Sequence, residues 1–156
     1  MTMCNKATIM LMVPFIFGIF MITQSCQKND ETNISSHNSD ESHNMGQNCM
    51  VCHKADGKGQ GAFVAAGTVY DSLFTATRKN GTVRLYSGPN QTGTLRATIQ
   101  VDARGNFYTT ESIDFTGGVY PVVTGSSGDI HYMIATISMG ECNSCHGVTN
   151  DKIWVR

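Results

Sequence analysis

Apolar residues are spread along this chain in three ways. From 7 to 22 they form an almost unbroken run, from 27 to 48 they nearly vanish, and from 67 to 137 they alternate with polar residues in short stretches. Alternation predicts strands, because successive side chains of an extended chain point to opposite faces. In Thr82-Val83-Arg84-Leu85-Tyr86, Val83 and Leu85 share a face, and from 95 to 101 Leu95, Ala97, Ile99 and Val101 do so. Further candidates at 67–70, 106–110, 119–124 and 131–137 bring the count to about six strands. The breaks are turn chemistry: Lys79-Asn80-Gly81, Ser87-Gly88-Pro89-Asn90, Asp102-Ala103-Arg104-Gly105-Asn106 and Thr116-Gly117-Gly118. This spacing predicts a mainly β fold, a small antiparallel sandwich occupying one domain over 47–156.

The apolar run follows Lys6 and ends in Thr23-Gln24-Ser25-Cys26, the layout of a secretory signal peptide over 1–25. It is short for a spanning helix, and Pro14 interrupts it. Ser25 before Cys26 resembles a lipoprotein processing site, which makes Cys26 the lipidated first residue of the mature chain. The competing reading is a plain cleaved signal with an idle Cys26. The polar stretch that follows cannot bury enough apolar surface to offset its ordering entropy, so 26–46 is expected to be a flexible tether. A tether of that length reaches roughly 25 Å. Lys28-Asn29-Asp30-Glu31 resembles the export signal of surface lipoproteins. The expected location is therefore outside the cytoplasm, on a membrane, facing the periplasm or the cell surface.

A formal net charge of −1 argues against a nucleic-acid partner. The cysteines carry more information. Four of the six fall into Cys49-Met50-Val51-Cys52-His53 and Cys142-Asn143-Ser144-Cys145-His146. Both fit the C-x-x-C-H signature of covalent haem attachment. Two thiols on one tight turn add to two vinyl groups of one porphyrin, and the next residue turns its imidazole under the iron. His53 and His146 are then the proximal ligands, and the expected cofactors are two haem c. Two other readings stand beside this one. Two C-x-x-C pairs also suit a Cys₄ zinc site, and an oxidising compartment favours two disulfides. Neither requires a histidine after each pair.

The middle of the chain carries a resemblance of its own. Ala66-Gly67-Thr68-Val69-Tyr70-Asp71, Gly81-Thr82-Val83-Arg84-Leu85-Tyr86 and the stretch from Thr98 through Asp102 and Gly105 to Phe107 resemble the carboxypeptidase regulatory-like, Ig-like sandwich. Gly117-Gly118-Val119-Tyr120-Pro121-Val122 fits its last strand. That family implies a scaffold without chemistry. The whole layout looks like the small two-haem lipoproteins of Bacteroidota, with one haem motif on each side of such a sandwich and short helical haem-binding turns.

Each iron needs a sixth ligand unless its site is open. Met133 and His131 stand two apart on an expected strand and share a face, so one ligates while the other lines the pocket. His43, just upstream of the first motif, is the third candidate. His37, Met45, Met50 and Met139 are less well placed, and Trp154 is expected to pack in a core. No nucleophile–base pair stands beside the motifs. The leading expectation is therefore single-electron transfer to or from other redox proteins, cytochromes or membrane oxidoreductases. The alternatives are a small haem enzyme, peroxidase-like or nitrogen-oxide reducing, and a haem-based sensing or binding module with one open iron.

Overall fold

The computed structural model describes residues 32–156. The expected signal peptide and the lipidation candidate Cys26 lie outside the described residues. The fold is mainly β, with eight strands in two four-stranded sheets. They are β1 (Ala65–Asp71), β2 (Thr82–Tyr86), β3 (Leu95–Gln100), β4 (Asn106–Thr109), β5 (Tyr120–Thr124), β6 (Ile130–Tyr132), β7 (Gly140–Glu141) and β8 (Ile153–Val155). One sheet runs β3-β2-β5-β6, antiparallel throughout. In the other, β1 lies between antiparallel β4 and parallel β7, and β8 extends the parallel pairing along β1. Ala65, Val69 and Phe107 from this sheet meet Val83, Leu85, Ile99 and Val123 from the other in one core. The two sheets thus face each other as a sandwich.

Six strands were expected. The two additional ones, β7 and β8, are two and three residues long and pair only with β1. Such short parallel pairings leave no alternation to read. In β2 the expected face holds, with Val83 and Leu85 buried. In β3 it holds at Ile99 but fails at Leu95, which is exposed. A register shift between Leu85 and Tyr86 sets Leu95 opposite Tyr86, out of phase with the inward face.

The stretch expected to be a tether departs from its composition. From Asn33 onward the chain is hydrogen-bonded to the sandwich. Ile34 bridges to Thr109, and Ser35, only 1% exposed, donates its hydroxyl to the Gln100 carbonyl at 2.6 Å. His37 Nε2 donates to the Gly81 carbonyl at 2.8 Å, and Arg104 Nε donates to the Asp40 carbonyl at 2.6 Å. This strap needs little apolar burial because it pairs with the otherwise open edge of β4.

β1 is buried from Ala65 to Val69, because both its faces are covered. Ala65 and Val69 look into the sandwich core, whereas Ala66 packs outward with Phe63 and Tyr108, and with Cys49 and Met50 of the first motif. Gly67 admits the Phe107 ring. A Cβ there would stand 2.5 Å from Phe107 Cζ and 3.0 Å from Cys142 Cβ.

Candidate functional site

The first motif begins at Asn48, whose side-chain oxygen accepts from the Met50 N–H at 3.1 Å and caps a 3₁₀ turn over Cys49–Val51. The Cys49 carbonyl accepts from the N–H groups of Cys52 and His53, at 3.2 and 2.9 Å. Residues 54–62 then double back. Gly59 N–H donates to the Cys52 carbonyl at 2.9 Å, and Phe63 N–H donates to the His53 carbonyl at 2.9 Å. This brings the Gln60 carbonyl 2.9 Å from His53 Nδ1. A carbonyl only accepts, so Nδ1 carries the proton and Nε2 keeps its lone pair. Gly59 makes the closure possible, since a Cβ there would lie 2.6 Å from that Nδ1. The His53 ring stacks on Phe63 at 4.2 Å between centroids, and Phe63 stacks on Tyr108 at 4.8 Å.

The second motif repeats these features in a different setting. It interrupts the β7–β8 edge as a 3₁₀ turn over Cys142–Ser144. The Cys142 carbonyl accepts from the N–H groups of Cys145 and His146, at 3.3 and 3.0 Å. Residues 147–151 loop back, and the Asp151 carbonyl accepts from His146 Nδ1 at 2.6 Å. Again Nε2 is left as the free donor atom. A backbone carbonyl on the far nitrogen is the usual means of fixing the tautomer and direction of a metal-binding imidazole.

The two motifs lie side by side, and Thr68 holds them there. Its hydroxyl donates to Asn106 Oδ1 at 2.7 Å and accepts from the Gly46 N–H at 2.9 Å and from Asn143 Nδ2 at 3.1 Å. Thr68 N–H donates to Asn143 Oδ1 at 3.2 Å, and Asn143 Nδ2 also donates to the Gln47 carbonyl at 3.0 Å. One step further out, Asn48 Nδ2 donates to Glu141 Oε2 at 3.5 Å. Counting six antiparallel strands would put the motifs at one end of the sandwich, whereas they meet beside the middle of β1. Seven strands separate the motifs, and β7 runs parallel to β1. Because β7 spans only two residues, beside Ala65 and Ala66, the chain leaves it next to Gly67 instead of at the far end.

All four thiols are free, so no disulfide joins them. Among the described residues no three His, Cys, Asp or Glu side chains converge on a metal-sized position. Burial pushes the Cys142 thiol up to about 12 and raises that of Cys49. Cys52 and Cys145 are exposed.

A cavity adjoins each proximal candidate. One of about 520 Å³ contains Cys49, Cys52 and His53 together with His43 in its lining. The other, about 500 Å³, is lined by His146 with His131, Met133 and Trp154. His131 and Met133 do face the same way, although β6 ends at Tyr132 and Met133 lies just beyond it. His131 Nε2 donates to Asp129 Oδ2 at 2.9 Å, and its ring meets Trp154 at 3.8 Å. Met139 and Met45 are exposed, and Met50 packs against the Phe63–Tyr108 cluster.

Comparison with protein-family models, curated proteins and solved structures gave no match. The motifs and their geometry therefore carry the functional argument alone. Sequence reading missed Thr68 and Asn143. The available signals were a lone threonine in the apolar run Ala65-Ala66-Gly67-Thr68-Val69 and an asparagine inside the second C-x-x-C. Among the described residues no helix is long and apolar enough to cross a membrane.

Proposed function

We propose that this chain is an exported, lipid-anchored dihaem c-type cytochrome, an Ig-like sandwich that carries single electrons between redox proteins. The observation that supports this reading best is the repeated construction of the two motifs. Each sets two thiols on one 3₁₀ turn and one imidazole immediately after it, with Nδ1 hydrogen-bonded to a returning carbonyl and Nε2 free. Chance C-x-x-C-H sequences have no reason to share that second hydrogen bond. The donor set suits one haem c at each motif, the first cavity has Cys49, Cys52 and His53 in its lining, and the second has His146.

When bound, haem c supplies a one-electron iron couple. Attachment forms a thioether at each cysteine: the sulfur bonds to a vinyl carbon and the thiol proton goes to the neighbouring carbon, with no net oxidation. Cys49 and Cys52 hold the first porphyrin, and Cys142 and Cys145 the second. His53 and His146 would supply the proximal nitrogens, each oriented by its carbonyl partner. At the second site Met133 and His131 both remain distal candidates, since the bond from His131 Nε2 to Asp129 leaves Nδ1 available. The bonds through Asn143 and Thr68 fix the two sites relative to each other, as short-range electron exchange requires. Lipidation at Cys26 would keep the domain at a membrane, within reach of cytochromes or membrane oxidoreductases.

The decisive experiment is intact mass and visible spectroscopy of the exported protein. Two haem masses that survive denaturation, with a Soret band and two one-electron steps in a potential titration, are expected. A Soret-free protein containing zinc, or one with two disulfides, refutes the reading.

A further inference from the structure

The five histidines of this chain are not alike. His53 and His146 commit Nδ1 to a backbone carbonyl, His37 commits Nε2 to the Gly81 carbonyl, and His131 commits Nε2 to the Asp129 carboxylate. His43 alone makes no ring hydrogen bond among the described residues, and it lines the cavity that contains His53. The two ring centroids are 5.9 Å apart. An iron held between two imidazoles needs a similar spacing: a metal–nitrogen bond of about 2 Å on each side, plus about 1 Å from each nitrogen to its ring centre, gives about 6 Å.

The backbone at His43 is fixed from both sides. Asn106 Nδ2 donates to the His43 carbonyl at 3.2 Å and to the Ser42 hydroxyl at 2.9 Å. Three residues on, Gly46 N–H is bound to Thr68, after a reversal through Asn44 and Gly46 at φ 53° and 81°. The competing donors in this cavity are weaker: Glu41 offers a hard carboxylate oxygen, Lys58 must first lose a proton, and Tyr108 is a phenol stacked against Phe63.

We propose that His43 supplies the sixth ligand to the iron of the haem attached at Cys49 and Cys52. This rests on the dihaem reading above. With two imidazoles, that haem is the lower-potential one if the second iron carries Met133, since an axial methionine raises the potential.

Intact mass first establishes two covalent haems in the wild-type holoprotein; their absence would refute the dihaem reading itself, whatever His43 does. With both haems present, ferric electron paramagnetic resonance and visible spectra compare wild type with His43→Ala. Alanine keeps the carbonyl that Asn106 binds, and a thermal melt checks that the fold is retained. The expected result is conversion of exactly one low-spin haem to high-spin, its return on adding imidazole, and no change in His37→Ala. His43→Met should raise one of the two midpoint potentials and leave the other in place. A spin-state count in folded His43→Ala equal to that of wild type overturns the proposal.

Discussion

Replacing Thr68 by valine tests the junction between the two motifs. Thr68 is 1% exposed, and its hydroxyl uses its one proton and both lone pairs, on Asn106, Gly46 and Asn143. Valine keeps the shape, opens no cavity and removes all three bonds. Asn143 Nδ2 retains the Gln47 carbonyl, but Asn106 Oδ1 and the Gly46 N–H lose the partner they have here. A buried polar group left unmatched costs about 1–3 kcal/mol, so Thr68→Val should destabilise by roughly 2–4 kcal/mol. Thr68→Ser keeps the hydroxyl and deletes one methyl, at a cost of about 1 kcal/mol. The expected order of stability is therefore Thr, then Ser, then Val, the reverse of what hydrophobic burial alone gives for the two variants. Urea denaturation of the holoprotein measures it, read as a shift in midpoint at constant slope. If valine proves as stable as serine, or more so, the hydroxyl does not hold the motifs and the reasoning fails.

Three further outcomes follow from the geometry. Gly67→Ala drives a methyl to within 2.5 Å of the Phe107 ring and should cost about 1–3 kcal/mol in the same assay, with Phe107→Leu partly restoring stability. Replacing the distal ligand among Met133 and His131 should turn the proposed second haem high-spin and shift its potential, and a Met133→Ala, His131→Ala double variant that stays low-spin in visible and magnetic spectra refutes a ligand from this strand. Asp129 is held below the ordinary carboxylate range, first by the Arg156 N–H and then by His131, against a smaller opposing effect of burial. Its contribution is therefore present above the unfolded value of about 3.9 and lost as pH falls through the lower folded value, so Asp129→Asn should remove an acid-induced loosening of the C-terminal residues seen by hydrogen exchange.

Strand β2 was legible because it has one buried face, and period two records that directly at Val83 and Leu85, whereas β5 buries the consecutive Val122 and Val123 and β6 buries none. β1 was legible only as apolar sequence. With both faces covered it has no alternation, and the one mark of a polar contact within it is the lone Thr68. β7 and β8 were invisible because what defines them is a neighbour more than 70 residues away. The strap at 33–46 was misread for a related reason: composition measures apolar burial, and this segment is held by hydrogen bonds to a sheet edge. At the site, C-x-x-C-H spacing picked out the cysteines and the two histidines that follow them as candidates. The carbonyls of Gln60 and Asp151 that orient those histidines are backbone atoms, which any residue could supply, and only the fold reveals them.

Both motifs are attached to β1 and its neighbours, and the second also reaches the other sheet, since Cys142 packs against the shared core and His146 lines a cavity with His131 and Met133. The first lies on the outer face through Ala66, Phe63 and Tyr108, and the second interrupts the edge that β7 and β8 share with β1. A single buried strand therefore sets their separation, with Thr68 as the point where both are tied to it. The other sheet contributes Val83, Leu85, Ile99 and Val123 to the core beneath. It stabilises β1 from the opposite face and adds no hydrogen bond to either turn. Among the described residues the side-chain hydrogen bonds that join the two motifs run through Thr68, Asn143, Asn48 and Glu141, and none runs through the second sheet.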